Sequence, residues 1–532
     1  MGAGRESVPP GPPGARGICE PAPMDGAGEG EGESIEPIPA AEAFASPFPP
    51  PPPPEPPLPP PRSRKWAWIV VGLGLAVAAA LVVFGVFVLG GDDGIDYPDE
   101  WDDRVADLAD FVEEERGERY DHPVEVEFLT EEEYSERTRS DEAELTAEDE
   151  EDLDAAEALF RAFGLAEGDL DLFDSINEIS DSGTLAFYDP ETDRITVRGT
   201  EMTVDLEVTL VHELTHALQD QFADLVEIQE DAADGADDAV RGLIEGDAVL
   251  VEQAYVDEEL TDEERAQYDD ISETQADDAL EDLTDVPEAL LAFFQAPYAF
   301  GPPFVLAVET DREINEAFED PPASDEQLMD PGRYLADDAP LEVDQPEVDE
   351  DAEVLDEGVV GALAWYLTLA ERIDPFVALT AVDGWGGDAY VLTGDEDATC
   401  IHAAVRTDSD ADTDELLAAV QEWAAALPEG MASATLGDDD DTILVDSCDP
   451  GGEADLALTG RGADALAIPV TRSYIYADAA TVFADDDATC VADTAVRGLS
   501  FEQVTDQAGT VFTDGTFDSL VQDAVVSCDV DF

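Results

Sequence analysis

The chain has 532 residues, 44% of them apolar, enough for two or three domains with a sizeable core. It carries 133 acidic against 22 basic residues, a net charge of −111. Such a charge repels a phosphate backbone, so a nucleic-acid partner is excluded.

Composition this acidic is often disordered, but here the acids alternate with Ala, Val and Leu at helical spacing, so much of the chain is expected to fold. Lys65 is the only lysine. An Asp- and Glu-rich surface almost free of lysine suits a halophilic protein, because the Debye length falls to roughly 3 Å at 1 M salt and self-repulsion is screened.

Residues 1–61 form a low-complexity tail with a proline run from Pro49 to Pro54 and a second cluster at Pro59–Pro61. It reads as a disordered or polyproline cytoplasmic spacer. Trp66 to Gly90 is an uncharged run of 25 residues, long enough for a transmembrane helix. Arg62, Arg64 and Lys65 precede it and Asp92 and Asp93 follow, which places the N-terminus in the cytoplasm and the remainder outside the cell. The run is too long and too far from the N-terminus for a signal peptide, so a single-pass anchor in the cell membrane is expected.

Beyond the anchor, residues 97–120 read as an acidic amphipathic helix, Val124 to Phe128 as a short strand and 147–165 as a helix. Thr184–Tyr188 and Arg194–Arg198 form a hairpin around the turn Asp189–Asp193. A helix from about Thr203 to Phe222 follows, and within it stands His212-Glu213-Leu214-Thr215-His216. Two histidines four apart lie one turn apart on one helix face and can hold one zinc ion. Glu213 beside them is placed to take a proton from a zinc-activated water. The chain has four histidines; His122 and His402 lie in unrelated local patterns. The expected third ligand is Glu245, in an apolar helix running to about Tyr255, because a glutamate after Ile244 on a core face needs a partner. Two histidines and one glutamate leave the fourth zinc position open, as in a catalytic site. Asp247 and Glu252 are rivals, or acceptors for a ligating histidine's N–H.

With these residues in place the chain resembles the gluzincin metallopeptidases, and more closely a bacterial family of uncharacterised extracellular metallopeptidases. The stretches that carry the resemblance are HELTHALQDQ at 212–221, LIEGDA at 243–248, PYAFGPPFV at 297–305, GWGGDAYVL at 384–392 and CDPG at 448–451, over roughly residues 100–451. The resemblance implies His212, His216 and Glu245 as zinc ligands, Glu213 as general base, and a zincin-like α+β fold. In that fold a small sheet lines the cleft with an edge strand, Thr184–Tyr188 or its partner, to which an extended peptide adds. The chain departs from the pattern twice. The spacer from His216 to Glu245, residues 217–244, is longer than in the thermolysin type, and Asp330 stands before Pro331 where a histidine is expected. If that histidine stabilised the oxyanion, Tyr298, Tyr255, Tyr334 and Arg333 are the substitutes on offer.

Cys19 lies on the cytoplasmic side; the order of the other four suggests Cys400–Cys448 and Cys490–Cys528, one of three possible pairings. A helix at Asp414–Ala426 and a strand at Thr442–Val445 lie between the first two, and Phe501–Gln507 and Leu520–Val526 are amphipathic pieces near the second pair. Asp408, Asp410 and Asp412 open like a calcium loop, but Thr413 and Ala419 stand where Gly and Glu are required, so an EF-hand is rejected. The expected organisation is therefore a tail (1–61), a transmembrane helix (66–90), a zincin-like peptidase domain (95–451) and a small helical, disulfide-clipped module (452–532). The expected function is an extracellular zinc peptidase acting on peptide or protein substrates. The rival is an inactive zincin-like domain that binds cell-envelope or protein partners. The sequence implies no particular oligomeric state.

Overall fold

The structure is a computed structural model that describes residues 97–530, apart from 139–144, 169, 182–184, 284–285, 350–351, 395–398, 438–440 and 506–515. The expected tail and transmembrane run lie outside the described residues, as does Thr184 of the expected hairpin.

The architecture is α+β with two small sheets. The first holds β1 (Glu125–Leu129), β2 (Ala186–Asp189) and β3 (Arg194–Arg198) in the order β1-β3-β2, β1 parallel and β2 antiparallel to β3. Asp189 shapes the hairpin turn by accepting from Glu191 N and the Thr192 hydroxyl, and Asp193 closes it at φ 48°. The strand ends one residue later than expected, at Asp189.

Ala106–Arg116, Val204–Ala223 and Asp237–Glu258 share one apolar core with this sheet, and Glu288–Val308 packs on the third of them. Ala106–Arg116 stops at Gly117, whose φ of 68° ends the helix, so the helix expected over 97–120 is much shorter. Val204–Ala223 carries the HELTH segment, with Asp205 and Glu207 in its first turn, where acids suit the positive end of the helix. It ends at Asp224, φ 51°, whose side chain caps the next short helix. Asp237–Glu258 carries Glu245. Glu288–Val308 contains Pro297, Pro302 and Pro303 yet remains helical. It is long and apolar enough to cross a membrane, but two thirds of it is buried in the protein, against Asp237–Glu258 and Ala467–Ala480.

The closest crossing is between the last two of these four helices. A Cβ on Gly246 would lie 2.2 Å from the carbonyl carbon of Gly301, and one on Gly301 would lie 2.3 Å from the carbonyl oxygen of Gly242. Only glycine at both positions lets these backbones meet.

The second sheet is antiparallel: β4 (Glu353–Gly358), β5 (Trp385–Gly394), β6 (Thr399–Thr407), β7 (Ala432–Leu436) and β8 (Thr442–Cys448), in the order β4-β5-β6-β8-β7. Cys400 sits directly opposite Cys448 and the two form a disulfide; Cys490 and Cys528 form the second, as the cysteine order suggested. The helix expected from Asp414 starts at Asp410, because Ser409 caps it by accepting from Asp412 N. The last strand extends past Val445 to Cys448.

Near the C-terminus, Ala467–Ala480 packs on the proline-bearing helix. Tyr366 donates to Ala465 O, and buried Arg472 pairs with Asp383. Of the expected piece Phe501–Gln507, residues 506 and 507 lie outside the described residues and Phe501–Val504 is helical; Leu520–Val526 lies inside the helix Thr516–Ser527.

Candidate metal centre

The residues 204–219 of the motif helix are buried almost without interruption, so its polar side chains must find partners inside the protein. His212, His216 and Glu245 are 2, 4 and 3% exposed. Their donor atoms converge. His212 Nε2 and His216 Nε2 are 3.0 Å apart, and Glu245 Oε2 lies 3.2 Å from the first and 3.3 Å from the second. Bonds of about 2.0–2.1 Å to a tetrahedral zinc would separate ligand atoms by roughly 3.3 Å. The three atoms therefore fit three corners of such a site.

The tautomer of His216 follows from its neighbour. The Gln219 amide nitrogen donates to Ile244 O at 3.0 Å and to Asp247 Oδ2 at 2.7 Å, so its oxygen must face the histidine. That oxygen lies 2.9 Å from His216 Nδ1, which must carry the hydrogen. In the neutral ring, Nε2 is then the atom that carries the lone pair, aimed at His212 and Glu245. Lone pairs and a carboxylate gathered in a buried pocket repel one another unless a cation or a proton sits among them.

The titration pattern carries the same signature. Burial opposes charge on His212, but Glu245 and Glu252 beside it outweigh burial and push its pKa well up. Burial also disfavours the Glu245 carboxylate, yet His216 and His212 hold its pKa far below the usual range. The Tyr298 hydroxyl donates to the other Glu245 oxygen at 2.9 Å. Glu252 Oε2 lies 3.2 Å from His212 Nδ1, off the line of a hydrogen bond.

Glu213, 1% exposed, accepts from Tyr188 N at 2.8 Å through Oε2. Burial raises its pKa; His212, His216 and the Tyr188 N–H offset this in part. Tyr188 belongs to β2, and its N–H points off the strand's free edge. Because β3 is central, β2 is the member of the hairpin that presents an edge to this site.

The remaining sequence candidates lie elsewhere. His122 stacks on Tyr97, and His402 bonds Asp446 and Thr393. Arg333 binds Asp338, Asp408 and Asp383 O; Tyr334 donates to Asp320 O; Tyr255 packs edge-on to Phe111. Asp330 caps its own helix at Gly332 N. Of the four proposed substitutes for the missing histidine, only Tyr298 bonds a ligand candidate. Of the two expected acceptors, Glu252 is beside His212, whereas Asp247 reaches His216 only through Gln219. Sequence reasoning assigned Gln219 no role, although its place three residues after His216, on the same face, was the available signal. Arg241, one turn before Glu245, has Tyr298 and Glu245 among its electrostatic neighbours. A cavity of about 620 Å³ opens elsewhere, beside Glu167, Asp171, Glu288 and Glu371, and no residue of this centre lines it.

No protein-family model, curated protein or solved structure matches the chain.

Proposed function

We propose that the protein is a zinc-dependent peptidase with a zincin-like arrangement, held at the outer face of the cell membrane by residues 66–90. The carrying observation is the convergence of His212 Nε2, His216 Nε2 and Glu245 Oε2 at 3.0–3.3 Å, with the carboxylate of Glu213 buried next to them. A zinc ion held by His212, His216 and Glu245 would supply Lewis acidity towards a carbonyl and a water.

The chain's own groups define the rest. Glu213 is the general base. The Tyr188 N–H holds its Oε2, and its other oxygen makes no hydrogen bond among the described residues, so that oxygen takes the proton and passes it to the leaving amine. Tyr298 fixes the rotamer of Glu245. The free edge of β2 offers backbone groups to an extended peptide, which orients the scissile bond beside Glu213.

Glu213→Gln keeps the shape and the acceptor for Tyr188 N–H but removes the base. It is expected to retain zinc and to lose roughly 10²–10⁴ in kcat. Undiminished turnover would sink the assignment. The near-complete burial of the centre favours one second reading, a zinc-stabilised domain that binds partners. Bound zinc with no hydrolysis across a broad peptide panel would decide for it.

A further inference from the structure

Beyond Gln219 the chain of contacts continues as an ion pair. Asp247, which receives the Gln219 amide, lies 3.1 Å from the Nε of Arg116. Both side chains are almost sealed from solvent, 8% exposed for Arg116 and 5% for Asp247. Arg116 is the last residue of the first described helix, and Asn315 anchors its guanidinium at 2.7 Å while itself donating to Glu118. Arg116 is thus held from two sides at a point more than ninety residues from the motif.

A buried carboxylate that has lost its cation is strongly destabilised and moves or finds another proton source. Asp247 is also one of only two acceptors that dictate the orientation of the Gln219 amide; the other is Ile244 O. With Asp247 displaced, only Ile244 O still holds the amide, and turning it over costs one hydrogen bond instead of two. Its NH2 would then face His216 Nδ1, which would have to accept, and the ring hydrogen would move to Nε2, the atom that points into the centre.

We propose that Arg116 is a positioning residue for the metal centre: through Asp247 and Gln219 it holds His216 in the tautomer whose Nε2 is bare. This rests on the reading of His212, His216 and Glu245 as metal ligands. The role differs from a packing role, because it predicts a change at the metal and not only in stability.

The test uses the full chain in detergent and high salt, loaded with zinc or cobalt alone. Zinc affinity is read by competition with a chelator, and the cobalt site by its visible absorption. Gln219→Leu and Arg116→Met are expected to weaken zinc by roughly 10–100-fold and to alter the cobalt spectrum. Arg116→Met combined with Asp247→Asn removes both charges but keeps an oxygen for the Gln219 amide, and should recover most of the affinity. Arg116→Lys, which keeps the charge without the reach to Asn315, serves if Arg116→Met does not fold, and should show a smaller loss. Variants with wild-type affinity and spectrum overturn this inference alone. A folded wild-type chain that binds neither ion overturns the metal-centre reading, and this inference with it.

Discussion

Gly246→Ala tests whether the helix crossing sets the geometry of the centre. The added Cβ would meet the Gly301 carbonyl carbon at 2.2 Å and its oxygen at 2.4 Å, against an ordinary contact of 3.4 Å or more. These are backbone atoms and cannot rotate away, so the two helices must part by about 1 Å. Gly246 follows Glu245, and Gly301 is three residues after Tyr298, so the parting acts on the 2.9 Å bond between those side chains. That bond would stretch towards roughly 4 Å, where no hydrogen bond remains. The overpacking costs about 1–3 kcal/mol, and the lost bond to a charged group about 1.5–3 kcal/mol. Urea unfolding with and without zinc, together with chelator competition, should show both the stability loss and a weaker metal site. Gly242→Ala is the control: its Cβ would meet the Leu328 side chain at 2.5 Å, a side-chain contact and not a backbone one, so it presses on Leu328 without forcing the two helix backbones apart. If Gly246→Ala matched wild type, or behaved no worse than Gly242→Ala, the argument from the crossing would be wrong.

Other outcomes follow from the same geometry. Glu245→Ala should abolish tight zinc binding in a folded chain, since two histidines remain; retained stoichiometric zinc in the purified variant would count against the ligand set. Burial holds the Asp325 carboxyl up at about 7, against the pull of the Leu363 and Ala362 N–H groups. A raised folded-state pKa means stability present at low pH and lost as pH rises from about 4 to about 7. Compared with Asp325→Asn, wild type should therefore lose up to about 1.4 kcal/mol per pH unit across that window and nothing further above it, as read by urea unfolding at each pH. Cys490→Ser should cost about 2–4 kcal/mol by opening the loop closed by Cys490–Cys528, measured as a shift of the urea midpoint. The melting temperature should rise steeply from low to molar salt as repulsion among 133 acids is screened; a flat dependence removes the halophilic reading.

Much of the centre was legible because its signals are local. The HELTH spacing places two imidazoles on one helix face, and Glu245 is conspicuous as an acid in an apolar run. The hairpin was readable from Pro190 and the acids around it. The parts that were not legible depend on contacts distant in sequence. Helix Glu288–Val308 carries three prolines, which argue against a helix until neighbouring elements enclose it. Helix Asp262–Asp282 is so acidic that it lacks an apolar stripe, and its capping box at Thr261 and Glu264 was the signal available. Arg116 reaches Asp247 across 131 positions, and no periodicity encodes that. The departure at Asp330 was visible, but what the residue does instead, capping its own helix, required the fold.

The interior answers negative charge in an unusual currency. Asp388 receives Val360 N, Gly361 N and the indole N–H groups of Trp365 and Trp385; Glu371 receives Thr459 N, Gly460 N and Gly462 N; Asp325 receives Ala362 N and Leu363 N. Among the described residues, no ion pair engages these three. Amide and indole dipoles are built into the chain and do not exchange with ions in the solvent. Dilution should therefore act on this protein from the outside inward: the acid-crowded periphery swells first, while the anchors beneath it keep their hold. Amide hydrogen exchange along a falling salt series would then map a front, with the donors around Asp388 and Glu371 among the last to open.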